Sequence, residues 1–154
     1  MHALSGTWRL TWTQKRWATH QDLRHLSHGL LPKHTVRVRD ICQEISVERG
    51  TWMDIADLQL AGGYECTWIA FGRIETLPSS VTTFPFDVLV TMRAGHLIPQ
   101  DDDLPAEPWL APFMDRTLLL PSGGVPARTE IVCIGTESRV DADREGSLAL
   151  LRRL

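Results

Sequence analysis

The chain has 154 residues, of which 43% are hydrophobic and 23% charged, and its formal net charge is −3. That is the composition of a soluble globular protein. Its length suits one domain over residues 1–154, and the mildly acidic balance excludes general nucleic-acid binding, which needs a basic face.

The first element predicted is a strand over Leu4-Ser5-Gly6-Thr7-Trp8-Arg9-Leu10-Thr11-Trp12. Leu4, Trp8, Leu10 and Trp12 fall on one face, while Thr7, Arg9 and Thr11 fall on the other, which is the period of a half-buried strand. Lys15, Arg16 and Trp17 follow. Between Ala18 and Leu31, Leu23, Leu26 and Leu30 recur at three and four residues, so a short helix is expected there. Thr19 is the expected cap, and Gly29 and Pro32 end the segment.

Residues 34–48 read as the next strand. Val36 and Val38 hold one phase and Ile41, Gln43, Ile45 and Val47 hold the other, so a β-bulge is expected near Asp40. Trp52, Ile55, Leu58 and Leu60 carry a weaker strand pattern. After the Ala61-Gly62-Gly63 turn, Tyr64, Cys66 and Trp68 alternate with Glu65 and Thr67. A strand over 81–93 places Phe84, Phe86, Val88, Val90 and Met92 on one face. Residues 94–112, rich in proline and aspartate, read as a long loop. Further strands are expected at 113–120, 128–140 and 147–153. Eight to ten short strands, one short helix near the N-terminus and no β-α-β alternation predict an all-β fold, an antiparallel barrel or sandwich. A barrel of eight strands has an interior that side chains fill or that one small ligand occupies.

Charge is uneven along the chain. The first 49 residues carry an excess of Lys and Arg, together with five of the six histidines, which suits contact with an anionic surface. The three cysteines, Cys42, Cys66 and Cys133, are widely spaced and form no C-x-x-C pair. No disulfide framework or structural zinc site is expected, and a reducing compartment fits best. No apolar run approaches the roughly 18 residues that span a bilayer, and no signal-peptide core opens the sequence.

Several segments together resemble one family. Leu4 to Leu10 is similar to the Gly-x-Trp opening strand of lipocalin-like barrels, and in particular to that of the plastid lipid-associated proteins, or fibrillins. Ile41-Cys42-Gln43-Glu44-Ile45 resembles that family's second-strand glutamine motif. Gly50-Thr51-Trp52-Met53-Asp54 resembles its glycine turn, with aspartate where the family has asparagine. Ser138-Arg139-Val140 followed by Gly146-Ser147-Leu148-Ala149-Leu150-Leu151 is similar to its close, with Arg139 at the family's arginine. Cys133-Ile134-Gly135 departs from the tyrosine-leucine-aspartate that usually stands there.

The resemblance implies a lipocalin-like antiparallel β-barrel that binds a hydrophobic small molecule such as a carotenoid, prenyl quinone or acyl lipid. It also implies a plastid or cyanobacterial setting, soluble or peripheral to thylakoid membranes or lipid globules. In such barrels a first-strand tryptophan packs under a late arginine, which assigns barrel closure to Trp8 and Arg139. Trp12, Trp68, Phe86, Val88 and Val90 are the expected cavity lining, being aromatic or branched with few polar groups.

For catalysis the sequence offers Glu65, Glu75, Asp87, His96 and the three cysteines, but no nucleophile elbow, phosphate loop or paired-carboxylate motif. No cofactor and no metal are expected. His25 and His28 share a spacing of three near His20 and Asp22, yet match no named metal site, and the Asp101-Asp102-Asp103 run reads as a solvated loop. A barrel enzyme of the isomerase, cyclase or bilin-lyase kind is the alternative function, and a filled-core scaffold is the third.

Overall fold

A computed structural model describes residues 2–14, 20–76, 84–100, 108–124 and 126–154. The predicted cap Thr19, the segment Lys15, Arg16 and Trp17, the start of the 81–93 strand and the Asp101–Asp103 run lie outside those residues.

The strands are β1 (Gly6–Thr13), β2 (His20–Asp22), β3 (Thr35–Ser46), β4 (Thr51–Gln59), β5 (Glu65–Thr76), β6 (Phe86–Pro99), β7 (Thr117–Leu119), β8 (Pro126–Ile134), β9 (Ser138–Ala142) and β10 (Leu148–Arg153). They form one antiparallel sheet in the order β1-β10-β9-β8-β6-β5-β4-β3, and the pairing of β1 with β3 closes it into an eight-strand barrel. Closure removes the free edges that an open sheet must protect. β2 and β7 are short additions, on β3 and β6 respectively.

β3 is long enough to serve two neighbours. Its C-terminal half pairs with β1 from Gly6–Ile45 to Arg9–Cys42, and its N-terminal end pairs with β2 from His20–Arg37 to Asp22–Thr35. The expected bulge is present, between Val38 and Asp40, and it exchanges the inward phase from Val36 to Ile41, Gln43 and Ile45.

Three local expectations change. The predicted helix over 18–31 is a single turn, α1 (Leu23–Leu26). Asp22 caps it, its side chain accepting from Arg24 N at 3.1 Å and from His34 N at 3.3 Å. Residues 94–99, predicted as loop, continue β6 against β5. A register shift opposite Phe71–Gly72 turns Gly95 and Leu97 inward, and Gly95 leaves room for the Trp68 indole: a Cβ there would lie 2.1 Å from Trp68 Cη2. Of the strand predicted over 113–120, only Thr117–Leu119 is extended.

Candidate ligand-binding cavity

One half of the barrel is filled with large apolar side chains. Leu4, Trp8, Ile45, Trp52, Phe86, Val88 and Ile131 are buried there, inside a single hydrophobic core. The other half holds a cavity of about 630 Å³. Its wall is written by alternation. β4 turns Trp52, Asp54 and Ala56 inward in succession, β3 turns Ile45, Gln43 and Ile41, and β10 turns Leu151 and Ala149. Ala56, Ala70 and Ala149 face the cavity where larger side chains would close it. α1 borders the mouth, with His25 and Leu26 on the cavity side.

Between the packed half and the cavity lies a polar layer. The Arg139 guanidinium is fully buried and grips Asp141 with two bonds, Nε to Oδ1 at 2.8 Å and Nη2 to Oδ2 at 2.7 Å. Its Nη2 also donates to the Gln43 carbonyl oxygen. The cation is stacked on apolar faces as well, 5.1 Å from the Trp8 ring centre and 5.6 Å from that of Trp52. Arg153 also stands over Trp8, 4.3 Å from the ring centre, and ties down the N-terminal segment through Ala3 O and Ser5 O. Trp8 itself donates its indole N–H to Leu4 O at 2.9 Å.

Gln43, Asp54 and Asp141 show this layer to the cavity as its floor. Asp54 accepts the Trp52 indole N–H at 2.9 Å. Burial pushes its carboxyl up from 3.8 to about 6, against the opposing pull of the Trp52 and Gln43 hydrogen bonds and the Arg139 charge. The surface it retains faces the cavity. Burial likewise raises Asp141 and lowers Arg139, and their two-bond contact works against both effects.

The cavity residues read from sequence are placed differently from one another. Trp68 lines the cavity. Phe86, Val88 and Val90 are buried core residues that do not reach its wall. Trp12 is 54% exposed on the outer surface. Its inward phase is cancelled by a bulge between Leu10 and Trp12, after which Thr13 takes the cavity side.

The residues considered for catalysis lie elsewhere. Asp87 pairs with Arg128, Glu65 with Arg39, and His96 with Asp115 at 3.3 Å, all outside the cavity. Glu75 is exposed. Cys66 is buried, and burial pushes its thiol up to about 12. Sequence reasoning passed over Gln43, Asp54 and Asp141 as site residues. Their signal is a polar side chain in the apolar phase of a strand, as in Ile41-x-Gln43-x-Ile45 and Trp52-x-Asp54-x-Ala56. Among the described residues no group of three or more His, Cys, Asp and Glu is arranged to hold a metal ion.

The chain matches no family model, no curated protein and no solved structure.

Proposed function

We propose that the protein binds a small, uncharged hydrophobic molecule in the open half of its barrel, of the carotenoid, prenyl quinone or acyl-lipid kind. The observation that carries this reading is the 630 Å³ cavity walled by Trp68, Ile41, Leu10 and four alanines, a size within the usual range for small-molecule sites. The sequence resemblance to fibrillins supports it, and with it a plastid or cyanobacterial setting. Peripheral contact with a membrane or lipid globule belongs to the same proposal. Trp12 and Leu150 are cross-strand partners exposed beside the mouth, and they offer an apolar foothold there.

Titration with a short-chain prenyl quinone tests the reading. Saturable quenching of tryptophan emission is expected, with most of it lost in Trp68→Phe. Absence of saturable quenching contradicts it.

A second reading has one observation in its favour: the Asp54 carboxyl, at about 6, faces the cavity from its floor. A carboxyl so placed is competent to move a proton on a bound isoprenoid, as an isomerase or cyclase requires. Turnover abolished by Asp54→Asn, with binding retained, is the result this second reading expects. Retained turnover in that variant removes it.

A further inference from the structure

The polar floor says which end group a ligand presents to it. Among the described lining residues there is no Lys or Arg, but there are four aspartates: Asp54 and Asp141 on the floor, Asp22 and Asp143 near the mouth. The nearest cations, Arg139 and Arg153, stand behind the floor. Arg139 gives Nε and Nη2 to Asp141 and Gln43, and Arg153 gives Nη1 and Nη2 to the backbone of Ser5 and Ala3. Arg139 Nη1 and Arg153 Nε are buried without a partner among the described residues, but neither arginine belongs to the cavity lining. A ligand carboxylate reaching the floor would therefore meet carboxylate oxygens first, and like charges at that range oppose each other strongly.

The Arg139 charge behind Asp54 and Asp141 offsets part of theirs and leaves the floor acidic. The floor also offers hydrogen-bonding capacity. An ionised carboxylate has about four acceptor positions. The Trp52 indole and the Gln43 amide occupy two of those on Asp54. The remaining capacity is a buried acceptor that is costly to leave unmatched when water is displaced by an apolar chain.

We propose that this floor recognises the hydroxyl end of an isoprenoid-like ligand, the Asp54 carboxylate accepting its hydrogen bond beside the Gln43 amide, and that it turns away ligands ending in a carboxylate. The proposal rests on the binding reading given above. Arg139 and Asp141 are positioning residues in it: Arg139 fixes the Gln43 carbonyl, which turns the Gln43 amide toward Asp54. The aspartate at this position gives the floor an acceptor-only group, where an asparagine would both donate and accept.

Three retinoids with one skeleton and different ends separate the outcomes. At pH 8, dissociation constants are measured by tryptophan quenching for retinol, retinyl methyl ether and retinoic acid, on the wild-type chain and on Asp54→Asn. Retinol is expected to bind about tenfold tighter than the ether or the acid, as suits one hydrogen bond to a charged acceptor. In Asp54→Asn that preference should collapse, with the acid gaining most. Equal binding of all three by the wild-type chain keeps the cavity reading and overturns hydroxyl recognition. So does tighter binding of the acid, or a preference unchanged in Asp54→Asn. Failure of the wild-type chain to bind any of the three overturns both.

Discussion

The Arg139 guanidinium lies 5.1 Å from the centre of the Trp8 ring and is fully buried beneath the cavity floor. A cation so placed is tolerable only because Asp141, Gln43 and two indole faces surround it. Removing the cation strands Asp141, and removing Asp141 strands the cation.

Either single change should therefore be severe. Arg139→Ala or Asp141→Ala is expected to cost about 3–5 kcal/mol of stability, the usual penalty for breaking a buried pair. The double variant should lose clearly less than the sum of the two. Urea unfolding of the four chains measures this coupling, and additive losses would contradict the pairing.

The pH dependence of stability follows from Asp54. Its carboxyl is at about 6 in the folded chain, against an ordinary value of 3.8. Between those values the folded chain holds a proton that the unfolded chain has released, so stability falls as pH rises from about 4 to about 6 and stays reduced above that. The full gap corresponds to at most about 3 kcal/mol. Glu48 acts in the opposite sense. His2 N and Ser5 Oγ bond to it and lower its carboxyl from 4.5 to about 2, so its contribution is present above 4.5 and lost as pH falls through 2. Thermal midpoints of wild type and Asp54→Asn between pH 4 and 7 should diverge in favour of the variant as pH rises. A constant difference would contradict the assignment.

Gly95 and Trp68 form a tight contact across β5 and β6. The absent Cβ of Gly95 is what admits the indole, since the nearest ring atom would be only 2.1 Å away. Gly95→Ala should cost about 1–3 kcal/mol through overpacking. Trp68→Phe in the same chain should recover part of that loss, as read from urea midpoints.

Thiol chemistry should divide the cysteines. Cys133 is exposed, whereas Cys66 is buried with its thiol held at about 12. A maleimide is expected to label Cys133 first in the native chain and to reach Cys66 only in denaturant. Mass spectrometry of the digested adducts reads the order, and early labelling of Cys66 would contradict its placement.

The barrel was legible because most strands keep a strict alternation, and the β3 bulge showed itself as a change of apolar phase at Asp40. The β1 bulge was hidden. Leu10-Thr11-Trp12 alternates without a break, so nothing in the residue types reveals that Trp12 turns outward. The end of β6 was hidden too, because Gly95 and the prolines beyond it weaken a pattern that only Trp68 packing explains. The cavity depended on size rather than polarity. Ala56, Ala70 and Ala149 make room, but an alanine in an inward phase reads the same whether a neighbour fills the space or not. Arg139 and Trp8 could be paired from the resemblance. The Gln43–Asp54 extension of that layer required knowing that β3 and β4 are in register at those two residues.

The central claim is that the open half of the barrel holds a guest, and native mass spectrometry after exposure to a total lipid extract tests it most directly. Ala70, on the cavity wall, is the position to fill, and circular dichroism checks that the Ala70→Phe chain remains folded. The wild-type chain should carry one hydrophobic ligand per molecule and the Ala70→Phe chain none. A wild-type chain that stays bare, or a folded Ala70→Phe chain that carries the same adduct, would contradict it.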